Sequence, residues 1–227
     1  MKKSLLLLHG ALGTASQFEG LKDHLEEDFV LHTFNFEGHG GIATSSEYSI
    51  KLFAKNALDF IQSNNIEQTH VFGYSMGGYV GLYLARFFPD VVKRVATLGT
   101  KFSWTAEIAA KEVKMLSPDA IEQKVPMFAK KLSRDHAPLN WKNVLEGTAK
   151  MMLDLGAGNG LSQNDFTKIE HQVLLGLGAE DKMVTLEETN QVANWLPNAN
   201  LQILEGVPHP LEKADPKVVA QFIKNAF

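Results

Sequence analysis

Short, continuously apolar runs alternate with amphipathic helical stripes along most of the chain, and that alternation limits the fold more than any other feature. Leu5, Leu6, Leu7 and Leu8 follow one another without a polar break. A strand with one wet face alternates apolar and polar residues, so an unbroken run predicts a strand covered on both sides, as in a parallel sheet. The runs at 4–8, 29–36, 70–73, 91–98, 172–176 and 200–204 read as strands. Between them apolar residues recur at helical spacing. Phe18, Leu21 and Leu25 share one side of a short helix that Ser16 is placed to cap; Leu52, Phe53, Leu58 and Ile61 mark the next. Further helices are expected at 76–88, 187–195 and 216–226. The pattern predicts an α/β fold: a mostly parallel central sheet of about six or more strands with helices on both faces.

The alternation breaks at 101–170, which holds helical stripes and no convincing strand. Ser117-Pro118 is a start signal, an N-cap followed by proline at the first helical position. Ile121, Val125, Phe128 and Leu132 then form one face, and Trp141, Val144, Leu145, Thr148 and Met152 another. The division expected is a core of residues 1–100 and 171–227 carrying a helical cap at 101–170. The glycine-rich stretch at 156–160 follows a helix rather than a strand and reads as a helix stop, not a phosphate loop.

Composition removes several classes. A formal charge of −4 argues against a nucleic-acid partner. With no cysteine, disulfides, thiolate metal sites and a cysteine nucleophile are excluded. Lys2 and Lys3 before four leucines give too short an apolar run for a signal peptide, and no stretch approaches the roughly 20 residues of a membrane helix. The expectation is a soluble cytoplasmic protein with no membrane partner.

The chemistry is announced by Gly73-Tyr74-Ser75-Met76-Gly77, set between a strand and a helix. There a G-x-S-x-G sequence builds a sharp turn that presents one hydroxyl, with glycines letting strand and helix approach. Serine needs a base and a group to orient that base. Of the eight histidines, His209 stands out: it lies in a loop before the last helix, stiffened by Pro208 and Pro210. His24, His32, His39, His70, His136 and His171 lie in or beside regular elements without such a context, and His39 suits a structural role. The acid falls just past the strand at 172–176, where Glu180 and Asp181 compete. Oxyanion donors are expected at the N–H of Met76, after the nucleophile, and of Ala11, in the His9-Gly10-Ala11-Leu12-Gly13 loop.

These motifs resemble the α/β-hydrolase superfamily over nearly the whole chain. Leu8-His9-Gly10 is similar to its oxyanion loop, 73–78 to its elbow, 178–184 to its acid loop and Val207-Pro208-His209 to its base loop. Glu37-Gly38-His39-Gly40 resembles a turn of its small-molecule esterases and carbon–carbon hydrolases. The resemblance implies the α/β-hydrolase fold with an inserted helical cap, a Ser75–Asp181–His209 triad, and no cofactor or metal. Five methionines outside the elbow, with Phe102, Trp104 and Phe128, supply adaptable apolar surface at the cap and acid loop. Trp104, Met127, Phe128 and Met152 are the candidate substrate contacts. The function expected is hydrolysis of small or medium apolar esters through an acyl-enzyme. The alternatives are a carbon–carbon hydrolase or lyase on the same triad, as in menaquinone-pathway relatives, and a slow-turnover binding protein. Arg134 is the only arginine at 101–170, which disfavours a polyanionic substrate.

Overall fold

The computed structural model describes residues 2–227. Its sheet has six strands: β1 (Lys3–Leu8), β2 (Phe29–Thr33), β3 (Thr69–Tyr74), β4 (Val92–Leu98), β5 (Gln172–Glu180) and β6 (Ala199–Pro208). They stand in the order β2-β1-β3-β4-β5-β6, and every neighbouring pair is parallel. The helices are α1 (Glu19–Leu25), α2 (Ile50–Ser63), α3 (Met76–Phe87), α4 (Ala106–Glu112), α5 (Pro118–Lys124), α6 (Pro126–Asp135), α7 (Trp141–Asp154), α8 (Gln163–Phe166), α9 (Leu186–Trp195) and α10 (Pro216–Ala226). None is long and apolar enough to cross a membrane.

The leucine run does what an unbroken run should. Leu5 and Leu7 pack with Leu21 and Leu25 of α1 and Val219, Phe222 and Ile223 of α10. Leu6 and Leu8 pack on the other face with Phe53, Ala57 and Ile61 of α2 and Val80 and Leu84 of α3. All four are fully buried, a gain of roughly 1.5–3 kcal/mol each over exposure. The sheet is therefore the middle of three layers.

Between β4 and β5 lie α4 to α8 and no strand. This insertion has its own small core of Ile121, Ala129, Leu132, Trp141 and Leu145. Ser117 caps α5 by accepting from the Ala120 N–H at 3.4 Å, with Pro118 in the first turn. The single stripe expected through 121–132 is two helices. Pro126 has no N–H to continue α5, so a new helix starts there. Val125, at the joint, is 48% exposed.

Three other expectations change. Residues 34–36 are not strand: β1, the only partner of β2 among the described residues, ends at Leu8, and the pairing stops at Leu7 with Thr33. Ser16 does not cap α1; it sits inside a 3-10 turn (Ala15–Phe18), its hydroxyl 2.7 Å from that of Thr14. Conversely, β5 and β6 run beyond the expected 176 and 204. They stay paired through Leu177 with Ile203, Gly178 with Leu204, and Glu180 with Pro208. This two-stranded extension carries the residues that follow it, Asp181 and His209, to one place.

Candidate active site

The nucleophile turn is built as its glycines demand. Tyr74 ends β3, Met76 begins α3, and Ser75 between them has φ 52° and ψ −119°. A non-glycine residue held there costs of order 1–3 kcal/mol and persists only where its surroundings enforce it. Here the Ser75 N–H donates to the Leu98 carbonyl at 2.8 Å, and the Thr100 hydroxyl donates to the Ser75 carbonyl at 2.9 Å. A Cβ at Gly73 would overlap the Gly77 carbonyl, and one at Gly77 the Leu8 carbonyl.

His209 Nε2 lies 3.4 Å from Ser75 Oγ, and His209 Nδ1 lies 2.7 Å from Asp181 Oδ2. The Asp181 side chain is 1% exposed and that of His209 12%. The other Asp181 oxygen accepts from the N–H groups of Met183 at 2.8 Å and Val184 at 3.0 Å. Burial acts to raise the Asp181 pKa, but it is outweighed by the His209 hydrogen bond and charge and by these two amides, so the group lies below its ordinary value. An ionised acid fixes the proton on Nδ1 and leaves Nε2 to accept from Ser75. The N–H groups of Ala11 and Met76 make no hydrogen bond among the described residues. Both residues line the cavity that Ser75 and His209 line. The geometry thus joins a hydroxyl, an imidazole, a buried carboxylate and two backbone donors free among the described residues, the set that serine nucleophilic catalysis requires.

Ser75 stands between two chambers. The smaller, about 60 Å³, is walled by Ile50, Met76, Tyr79, Trp104, Met151 and Leu155, with Lys101 and Glu112 among its lining. The larger, about 330 Å³, is walled by Leu12, Tyr74, Met115, Leu116, Phe128 and Pro210. Ala11, Ser75, Glu112, Met152, Met183 and His209 line both. Of the expected contacts, Trp104 lines the smaller chamber, Phe128 the larger and Met152 both. Met127 is a correction: it is 74% exposed and lines neither, because the break at Pro126 turns α6 so that Ala129 and Leu132, not Met127, are buried.

A family model described as the alpha/beta hydrolase fold matches residues 3–140. The chain belongs to the α/β-hydrolase family. A (E)-2-((N-methylformamido)methylene)succinate hydrolase of Acinetobacter baylyi is 22% identical, the match covering 96% of this chain and 87% of that one. Monoacylglycerol lipase ABHD6 of Bos taurus is 23% identical, over 98% of this chain and 74% of its own. Among solved structures, the 2-hydroxy-6-oxo-6-phenylhexa-2,4-dienoate hydrolase of Rhodococcus sp. strain RHA1 superposes with a TM-score of 0.81 at 19% identity, covering 100% of this chain and 90% of that one. That likeness shows the fold.

Several residues that hold this α/β-hydrolase site together are not apparent from motif reading. The Tyr74 hydroxyl donates to the His209 carbonyl at 2.7 Å. Burial, then the nearby Glu212 charge, push its pKa up, so it stays a donor. Gln17 accepts from the Gly10 N–H at 3.1 Å, holding the loop that presents Ala11. His9, His39 and His136 form a buried group with neighbouring ring centroids 5.3 and 5.7 Å apart. His136, from the insertion, accepts from the Gly40 N–H at 3.0 Å and donates to the Leu12 carbonyl at 3.1 Å. A histidine at the end of a helix carries no sequence signal for such a role. Tyr74 stands at a variable position of the G-x-S-x-G motif, which says nothing of where its hydroxyl bonds.

Proposed function

We propose that this α/β-hydrolase is a serine hydrolase that cleaves small or medium apolar carboxylic esters through an acyl-enzyme. The reading rests on one observation: the Asp181–His209–Ser75 chain lies beside two unpaired backbone donors in a largely apolar cavity. Ser75 Oγ attacks the ester carbonyl while His209 Nε2 takes its proton. The Ala11 and Met76 amides hold the oxyanion, an interaction worth about 2.7–4 kcal/mol per donor in other enzymes. His209 returns the proton to the leaving alcohol, then activates the water that releases the acid. The 3.4 Å Ser75–His209 separation closes as substrate docks, as ligand-free sites commonly do. In this reading the insertion acts as the cap, the enzyme works in the cytoplasm, and its partner is the small-molecule ester itself.

The test pairs fluorophosphonate labelling with 4-nitrophenyl esters of graded acyl length. Wild-type protein should label at Ser75 and show a burst, and Ser75→Ala should lose both, with turnover reduced about 10⁶-fold. Labelling at another residue, or activity kept by the alanine variant, overturns the assignment. A second reading, hydrolysis of a carboxylate-bearing substrate on the same triad, is supported by the name of the Acinetobacter relative. The apolar walls and the bovine relative's monoacylglycerol name favour the ester. A protein that labels but turns over no ester would favour the second reading.

A further inference from the structure

The smaller chamber holds an ion pair that the reaction does not use. Lys101 Nζ lies 3.4 Å from Glu112 Oε1, with side chains only 18% and 11% exposed, and both residues line the chamber with Ser75 and His209. Lys101 also donates to the Met183 carbonyl at 3.0 Å, which fixes it against the acid loop. Taking two charges out of water to form such a pair gains little or nothing in stability over apolar packing. Glu112 ends α4, where a carboxylate meets the negative end of the helix dipole. Neither helix stability nor net pairing energy explains a glutamate at this position, among walls of Met76, Tyr79, Trp104, Met151 and Leu155.

Selection among substrates does explain it. The charged side chains lining this chamber are Lys101 and Glu112, with the Asp181 carboxylate behind His209; Glu112 also borders the larger chamber, where Lys131 and Glu212 add one charge of each sign. Resting on the proposed esterase reading, we propose that Glu112 is a specificity-determining residue: by occupying Lys101 it denies that ammonium to an incoming carboxylate, so the chamber takes short uncharged acyl groups and rejects acyl groups ending in a free carboxylate. The acyl group belongs here and the alcohol in the larger chamber. The alcohol must leave past His209, and the residues that follow it, Pro210 and Glu212, line the larger space. About 60 Å³ also suits a chain of only a few carbons.

Methyl butyrate and monomethyl succinate test this, because their acyl groups differ only by exchange of a terminal methyl for a carboxylate. Wild-type kcat/KM should be about 100-fold lower for monomethyl succinate, the scale expected where like charges are forced together. Glu112→Gln should shrink that ratio at least about tenfold, because Lys101 becomes available to the substrate. Equal wild-type turnover of the two esters, or an unchanged ratio in the variant, overturns the proposal. If neither ester is turned over, the esterase reading fails instead. Thermal shifts of Ser75→Ala protein with the two esters then decide, since stabilisation by monomethyl succinate equal to that by methyl butyrate would again refute the selectivity.

Discussion

In the proposed mechanism the Tyr74 hydroxyl serves a reaction it does not touch. Its hydrogen bond to the His209 carbonyl and its ring, 5.6 Å from the imidazole, hold the base from behind while Asp181 holds it from the side. Tyr74→Phe keeps the ring and removes only the bond. The expected result is a stability loss of about 1 kcal/mol and a kcat about tenfold lower, with KM little changed, because the base is misplaced rather than the substrate unbound. Steady-state kinetics on a 4-nitrophenyl ester reads this directly, and an unaltered kcat would show that Asp181 alone suffices. Asp181→Asn should cost far more, about 10⁴-fold in kcat, since the amide no longer fixes the tautomer. Gly99 makes the same point about space. With φ +61°, a Cβ there would stand 3.1 Å from Asp181 Oδ2 and 3.3 Å from His209 Nδ1, so the end of β4 approaches the acid–base pair only as glycine.

At the scale of elements, the paired extension of β5 and β6 brings two distant residues together. At Gly178 the partner strand leaves no room for a side chain: a Cβ there would overlap the Val207 carbonyl. Gly206 has φ +68° but open space around it. The two glycines are therefore expected to respond differently. Gly178→Ala should part the strands just before Asp181 and His209, lowering kcat at least about 100-fold with about 1–3 kcal/mol of stability. Gly206→Ala should cost about 1–2 kcal/mol of backbone strain and leave more than half the activity. Equal activities in the two variants would deny the extension its aligning role. This extension also marks what the sequence could and could not reveal. The buried strands and the elbow were legible because apolar runs and glycine spacing are local signals. Glu180 and Asp181 were not separable by residue pattern, because 178–180 and 205–206 look like loop. Only the register, Glu180 opposite Pro208, shows that Asp181 is the one carried to His209. Val125 and Met127 depart from expectation for a similar reason: helical spacing continues across Pro126, but the helix does not.

For the molecule as a whole, the insertion packs on the sheet layer through Val144, Met151 and Leu155 and is hydrogen-bonded to it by His136, beside the buried His9 and His39. His9 donates from Nδ1 to the Gly10 carbonyl at 2.9 Å and accepts at Nε2 from the Phe36 N–H at 3.2 Å. His136 accepts at Nδ1 from Gly40 and donates at Nε2 to Leu12. A protonated ring cannot accept, so either histidine would lose a bond on charging. Burial dominates the electrostatics and lowers the pKa of His9 to about 4, that of His39 well below 6.5, and that of His136 below 6.5 despite the nearby Asp135. His70, buried near Lys93, Arg94 and Lys3, is lowered to about 4 as well. Once unfolded, these rings take up protons near pH 6.5 while the folded protein does not, so below that pH the unfolded state binds more protons and stability falls. Each such group steepens the fall by up to about 1.4 kcal/mol per pH unit until its folded pKa is passed. Asp135, Asp165 and Asp181 have lowered pKa values, and their contribution is lost only as the pH approaches about 4 and below. The limb between pH 6.5 and 5 therefore belongs to the histidines. Tm measured by calorimetry should be level above pH 7 and decline steadily from 6.5 to 4.5. His136→Gln should flatten part of that decline while lowering Tm at pH 7.5, because the amide can both accept and donate but fills the site less well. A Tm that holds constant from pH 7 to 5 would mean that these rings do not stay neutral in the folded protein.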